Sequence, residues 1–507
     1  MSEQVKRKPP TRSTDPVLSF QLTLNPNREQ EQQFYSHLGA VRYTYNWTVA
    51  LIQRNWEQIK QELEAGEQQT EYLPLQHTPL LKLWNASKEE HAPWWSKNAK
   101  QAYDWGILSA VAAYQNFLKS RSGKRKGKLM GYPRFKKRNQ QSQLGCMFNS
   151  TTLKLAHESK HVNLPRIGLV RYHGNADTVK WLLTHGARIT QGVLKQNQTR
   201  WTFALTLRVP VELYNRYLNT KYKRDLRAQK QDRKAVGVDM GLKTHAVLSD
   251  GVNIPNPKYL GKSSKKLAKA NRRLARRSGA GSYTMVKDER TDIEHRQWSK
   301  RHEAARKQLA KVHAKVANQR KNHAHQLSYW LSQNYEHIGI ENLNIPGMVR
   351  NKHLSKAIND AGWGQIINFL SYKAERSGVE LTKIGRFYPS SKTCSKCGTV
   401  RTKLSLSERE YVCECGYSGD RDHNAAVNIA RESLSLLPAG QQAGYTLAVS
   451  NQSEEPSYPW VTGEVKDRAG RRTSGKSTSL THRAATSSSG ETTLSSGSSA
   501  MLHTSTL

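Results

Sequence analysis

Residues 235–251, AVGVDMGLKTHAVLSDG, read as two strands in hairpin order: an apolar run from Val236 to Leu242, then THAVL, with Asp250-Gly251 as a turn signal. Toward the C-terminus, Lys258 to Arg277 is densely basic and helical, and Gln297 to about Asn334 predicts a long helix with Arg and Lys on its outer face. HIGIENLNI is a buried strand, a helix around GWGQIINFLSYKAERSG follows, and VELTKIG is a further strand. A cysteine cluster and a last helix, HNAAVNIARESL, close this half. Strands alternating with helices favour an α/β layer. Toward the N-terminus, beyond the charged link NTKYKRDLRAQKQDRK, short alternating runs from Thr152 to about Leu213 predict a small β-barrel or sheet. VLSFQLTL, from Val17, is an earlier strand ending at Asn25-Pro26, and helical patterns run from there to about Leu118. The chain is thus multidomain, α/β plus β-barrel, with a β-unit interrupted by a helical lobe.

The 507 residues carry 80 Lys and Arg against 40 Asp and Glu, a formal net charge of +40. Such an excess argues against an ordinary metabolic enzyme and points to a polyanionic partner, above all nucleic acid. No apolar run approaches the roughly 18 residues of a membrane span, and MSEQVKRKPPTRSTDP lacks a signal-peptide core, so a soluble, intracellular protein without a membrane partner is expected. Residues 1–16 read as a disordered basic arm. After about Leu437 the chain turns rich in Ser, Thr and Gly, a composition that buries too little apolar surface to offset its ordering entropy, so 437–507 is expected to be disordered.

Three carboxylates stand out. Asp239 interrupts an apolar strand, where an ionised group costs free energy unless a cation compensates it, though D-M-G also reads as a turn aspartate. Glu341 follows the apolar IGI and is either a strand-end surface residue or a partner of Asp239. Asp422, in GDRDHNAAVNIA, opens a helix, where an N-cap is the plain alternative. Brought together, the three would suit a two-metal phosphodiester nuclease, in which hard oxygen ligands hold two Mg²⁺ about 3.5 to 4 Å apart.

Cys394, Cys397, Cys413 and Cys415 form two knuckles, each closed by a glycine, and four thiolates suit one structural Zn²⁺. The second pair is spaced C-x-C, a departure from the usual C-x-x-C. Cys146 stands apart as a core residue. Basic residues cluster from Arg121 to Arg138, including Lys124, Arg125, Lys126, Lys128, Arg134, Lys136 and Lys137. A second cluster runs from Lys258 to Arg277, including Lys265, Lys266, Arg272 and Arg273. Both predict phosphate contact, with Tyr132, Phe135, Trp94, Trp95 and Trp105 available either to stack on bases or to fill a core.

In order along the chain, VGVDMGL, IGIENL, YPSSKTCSKCG, KLSLSEREYVCECG and DRDHNAAVNIA resemble the TnpB proteins of bacterial insertion sequences, relatives of the compact type V CRISPR nucleases. GYPRFKKR and the segment from LNIPGMVRNKH to LSYKAE are similar too, and the resemblance spans about residues 17 to 432. It implies a RuvC-like, RNase H-type nuclease domain split in sequence (221–388 and a last helix, 420–436), with a zinc-binding, ribbon-like target-nucleic-acid module (389–419) inserted. It also implies an N-terminal wedge β-barrel (17–26 and 123–220) interrupted by a helical recognition lobe (27–122). Asp239, Glu341 and Asp422 fall on the catalytic, Mg²⁺-binding positions, with Asp420 close by, and the four clustered cysteines fall on the zinc positions. The implied activity is guided cleavage of double-stranded DNA next to a short flanking motif, using a guide RNA transcribed from the transposon end, in the bacterial cytoplasm at the nucleoid. The alternative is a transposase or transposition regulator that binds nucleic acid without guided cleavage.

Overall fold

The computed structural model describes residues 14–449 except 69, 126, 138–143, 157–159, 175, 198–199, 280, 288–293 and 406. The expectations for residues 1–13 of the basic arm, for Lys126 and for 450–507 of the tail lie outside the described residues. Among the described residues no helix is long and apolar enough to cross a membrane.

The first unit begins with β1 (Val17–Asn25) and three helices, α1 (Arg28–Ala65), α2 (His77–His91) and α3 (Lys100–Arg121). Asn27 starts α1 through a capping box, its side chain accepting from the Gln30 N–H while the Gln30 side chain accepts from the Asn27 N–H. Gly66, at φ 70°, ends it in the left-handed conformation that glycine tolerates. The chain then builds β2 (Cys146–Asn149), β3 (Lys154–Ala156), β4 (His161–Leu164) and β5 (Gly168–His173). After α4 (Asp177–Thr184) come β6 (Arg188–Asn197) and β7 (Arg200–Arg208). The strands form one sheet in the order β2-β6-β7-β1-β5-β4-β3. β1 therefore lies at the centre of a sheet whose other strands come more than a hundred residues later, which makes the helical lobe an insertion. Phe34 and Ile107 of the helices and Phe148, Phe203 and Leu205 of the strands share one buried core. Cys146 is fully buried there, and burial pushes its thiol up, as suits a core residue.

α5 (Val211–Tyr222) leads into the second unit. It contains β8 (Arg233–Asp239), β9 (Thr244–Leu248), β10 (Asn253–Pro255) and α6 (Tyr259–Ala275), then the hairpin β11 (Tyr283–Lys287) and β12 (Glu294–Trp298) before α7 (Lys300–Asn334). β13 (His337–Ile340), α8 (Ser355–Ala361), α9 (Trp363–Ser377) and β14 (Glu380–Lys383) follow. The small pair β15 (Glu410–Val412) and β16 (Ser418–Asp420) precedes α10 (Arg421–Ser435). The main sheet runs β10-β9-β8-β13-β14, antiparallel from β10 to β8 and parallel across β8, β13 and β14. All four residues of β13 are buried, as a parallel strand covered on both faces requires, and the polar His337 at its start meets the Ser433 hydroxyl at 3.0 Å.

Two sequence expectations change. The long helix begins at Lys300, not near Gln297, because Ser299 caps it by accepting from the His302 N–H, while Gln297 pairs across the hairpin with Thr284. The tail does not become disordered at Leu437. A short helical turn at Ala439–Gln442 carries the chain into β17 (Tyr445–Leu447), which lies parallel to β8, with Tyr445 opposite Arg233. Tyr445 also packs edge-on against the buried His337 ring, and the Ala448 carbonyl accepts from the Ser249 hydroxyl at 2.7 Å. These few residues find backbone partners on an open stretch of β8, so they order without an apolar pattern of their own.

Candidate active site

Asp239 ends β8 and Glu341 directly follows β13. Val238 and Ile340 are register partners in these parallel strands, so the two acids leave the sheet side by side at the same edge. α10 crosses both strands. A Cβ on Gly237 would collide with the Ala426 carbonyl and stand 2.5 Å from the Ala430 nitrogen, and one on Gly339 would lie 2.6 Å from the Ser433 Cβ. Each glycine precedes its acid by two residues and so faces the same side of the sheet. The pair lets the helix backbone settle onto the strands and brings its first turn, with Asp422, to the acids. A G-x-acid spacing repeated in two strands was the available signal for this contact, and the reading by residue type passed over it.

The electrostatics couple the acids. Burial first, then the charges of Glu341 and Asp422, push the Asp239 carboxyl up to about 8, with Arg421 opposing. Burial also raises Glu341, although the Ser390 hydroxyl donates to it at 3.0 Å. The N-cap reading of Asp422 is corrected: Asp420 caps α10, accepting from the Asp422 and His423 N–H groups at 2.9 Å each. Asp422, the second residue of the helix, keeps its carboxylate free of capping and accepts instead from Arg421 Nε and Nη2 at 3.3 and 3.2 Å. Three carboxylates supply only hard oxygen donors, the set that Mg²⁺ prefers, and the raised Asp239 marks a site short of positive charge.

The four Sγ atoms of Cys394, Cys397, Cys413 and Cys415 all lie within 4.8 Å of one another, and no other group of three or more His, Cys, Asp or Glu among the described residues is as close. Cys394–Cys415 and Cys397–Cys413 separations of 3.7 and 3.6 Å are too long for a disulfide, whose S–S bond is about 2.05 Å. They match the edge of a tetrahedron with Zn–S bonds of about 2.3 Å, roughly 3.8 Å. Gly398 and Gly416, at φ 80° and 82°, close the knuckles, so the C-x-C departure does not prevent convergence. The hydroxyl and then the backbone of Thr399 draw the Cys397 thiol down to about 6, while Cys413 and Cys415 in the same cluster are raised.

α10 joins the two sites through its asparagines. Asn424 accepts from the Ser395 N–H at 2.8 Å and donates to the Thr393 carbonyl, and Asn428 donates to the Ser390 and Thr393 carbonyls. Their i, i+4 spacing puts both on one stripe, leaving Ala426 and Ala430 for the sheet. The stretch 390–395, between Glu341 and the cysteines, is thereby fastened to the helix that carries Asp422.

Of the basic candidates, Lys124, Arg125, Lys128, Arg134 and Lys137 are exposed, whereas Lys136 is half-buried with its ammonium 5.6 Å from the Tyr45 ring centre. Lys265, Lys266, Arg272 and Arg273 are exposed on α6, whose Leu267 and Ala270 face inward. Trp94, Trp95, Trp105 and Tyr132 pack against the first core, so base stacking is withdrawn for them. Phe135, 51% exposed, keeps a free face.

Comparison with known proteins places these observations in a lineage. Residues 208–352 match the family OrfB of IS605 elements, described as "Probable transposase", residues 363–429 match the "Cas12f1-like, TNB domain", and residues 18–61 match a helix-turn-helix family. In this chain the last segment is β1 and most of the unbroken α1, with no turn inside the helix. Proteins named "Putative RNA-guided DNA endonuclease" are similar over most of their length. That of Mycobacterium tuberculosis (H37Rv) is 31% identical over 82% of this chain and 86% of its own. InsQ of Escherichia coli K12, with the same printed name, is 24% identical over 83% and 94%. Among solved structures, the "mini-RNA-guided endonuclease CRISPR-Cas_phi3" aligns over 83% of this chain and 92% of that one, with 11% identity and a TM-score of 0.40. The chain belongs to the TnpB family, the OrfB proteins of IS605-type insertion sequences.

Proposed function

We propose that this chain is an RNA-guided DNA endonuclease whose RuvC-like, RNase H-type domain is assembled around the β10-β9-β8-β13-β14 sheet. The single observation that supports the reading is the placement of Asp239 and Glu341 at the ends of adjacent parallel strands, with Asp422 on the helix packed across them and Asp239 held up to about 8 by burial and then by Glu341 and Asp422. Asp239, Glu341 and Asp422 would hold two Mg²⁺, which when bound activate water and stabilise the leaving oxygen of a phosphodiester. Arg421 now occupies Asp422 and must release it as the site loads. Asp420 is left to the helix cap. One acidic triad implies one active site that cuts both strands in turn.

The cysteine module is a structural Zn²⁺ site that presents target nucleic acid to the acids, and the helical lobe with the seven-stranded, wedge-type unit holds a guide RNA from the transposon end. Base pairing then reads the target, while the protein reads the flanking motif and duplex shape. The exposed cations of 124–137 and α6 hold phosphate backbone. A cytoplasmic, nucleoid-associated protein follows from such partners. The names of the relatives favour this reading over a transposase or a non-cleaving regulator.

The test is guided cleavage with the copurifying RNA. Asp239→Ala, Glu341→Ala and Asp422→Ala should each abolish cutting while guided DNA binding stays nearly intact. Cutting at near wild-type rate by any of them would remove that residue from the site.

A further inference from the structure

A cleft of about 400 Å³ opens between α5, α7 and α9, and no part of the acid or cysteine sites lines it. Three cations, Lys221, Lys373 and Arg376, face it together with Tyr329, Tyr372 and His325, and none of its lining residues is acidic. Lys373 is only 6% exposed. Its ammonium donates to the His325 carbonyl and, at 2.8 Å, to the Ser328 hydroxyl, and it lies 5.8 Å from the Tyr329 ring centre. A lysine has three donors, so one remains beyond these two neutral acceptors. Burial, with Lys221 adding to it, pulls Lys373 down to about 8, the signature of a cation without a counter-charge.

The aromatic side is equally specific. Tyr329 is 44% exposed, Arg376 lies 5.0 Å from the Tyr372 ring centre, and His325 stacks flat on Phe369 at 4.0 Å and 12°. Burial first, then Lys373 and Lys321, hold His325 near 4, so its ring is neutral at pH 7. The half-exposed Tyr329 ring, beside cations that have no acidic neighbour in the cleft lining, matches a flat base attached to a phosphate. The volume lies at the lower end of the range for small-ligand sites, about 300 to 1,000 Å³, enough for one residue of a strand and too little for a duplex.

We propose that this cleft seats one unpaired nucleotide of single-stranded nucleic acid, its base against Tyr329 and its phosphate against Lys221, Lys373 and Arg376. The site rests on the guided-nuclease reading only for the source of that strand, guide RNA or displaced DNA. An acidic peptide would satisfy the cations but leave the exposed Tyr329 face uncovered.

The test uses the full chain with single-stranded oligonucleotides of roughly eight residues, within the footprint usual for such sites, carrying 5-bromouridine or 5-bromodeoxyuridine. Irradiation should crosslink Tyr329 or Tyr372, mapped by mass spectrometry, and the corresponding duplex should not label them. Crosslinking by the RNA or by the DNA probe identifies the source. Tyr329→Ala, at an exposed position and with unchanged melting, should weaken binding about fivefold or more, while Tyr329→Phe should not. Arg376→Gln should flatten the salt dependence by about 0.7 of a slope unit. Absence of any crosslink in the cleft, wild-type affinity in Tyr329→Ala, or equal labelling by duplex would overturn the proposal. If the cleft labels as described but the wild-type chain with its RNA never cuts, the guided-nuclease reading falls and the nucleotide seat stands.

Discussion

Asp239 sits where its surroundings oppose a charge, and that opposition has a sign. Its folded pKa, about 8, lies above the usual 3.8, so its contribution to stability is fully present below about pH 3.8 and is lost as pH rises through about 8. In chelator, Asp239→Asn should therefore melt several degrees above the wild type at pH 8 to 9, and the two should converge toward pH 4 to 5. Mg²⁺ should raise the melting temperature of the wild type and leave the variant nearly unmoved. A wild type that melts higher than the variant in chelator at pH 9 would contradict the assignment. His245 and His323 act in the opposite direction. His245 Nδ1 and His323 Nε2 are 3.0 Å apart in stacked rings, and burial holds both near 4. Their contribution is present above about pH 6.5 and is lost as pH falls toward about 4. Chemical denaturation should show stability falling by up to about 1.4 kcal/mol per pH unit for each proton taken up only on unfolding. His323→Gln should flatten that fall.

At the scale of elements, α10 is the joint on which the site depends. Gly237→Val would drive side-chain atoms into the Ala426 carbonyl, backbone that cannot swing aside, so the helix must lift from β8. The expected result is a loss of at least about 2 kcal/mol, within the range for overpacking, together with loss of cleavage. Wild-type cutting by this variant would mean that the contact does not position Asp422. Asn428→Ala would remove the donor to the Ser390 carbonyl, while Asn424 still serves Thr393, at a cost of about 1 to 3 kcal/mol. Because Ser390 also donates to Glu341, that change should lower the cleavage rate more than it lowers RNA binding.

For the whole molecule, the two ends of the second unit matter more than their composition shows. A chain ending at Leu437 lacks β17 and the Ala448 carbonyl that accepts from Ser249, so it should melt several degrees lower than one ending at Val449. Equal melting would make the strand dispensable. Metal analysis should find about one zinc per chain, and its removal should loosen the segment bound to Asn424 and Asn428, lowering cleavage as well as stability. A zinc-free chain that stays folded and cuts at the wild-type rate would separate the module from the active site.

From sequence alone, the alternation of strands and helices, the two glycine-closed cysteine knuckles, the basic character of α6 and the candidacy of the three acids were already legible. All of these depend on residue type and short-range spacing, which local physics reads directly. What required the tertiary structure was every choice between partners far apart in the chain. Asp420 rather than Asp422 caps α10 because the chain turns out of β16 there, and Gly237 and Gly339 matter because a helix some 190 and 90 residues later lies against them. Tyr445–Leu447 orders because β8 offers it free backbone groups, and the tryptophans singled out in the helical lobe pack against its core rather than standing free. A carboxylate, a glycine or a strand edge takes its energy from what is packed against it, and only the folded chain brings that neighbour into place.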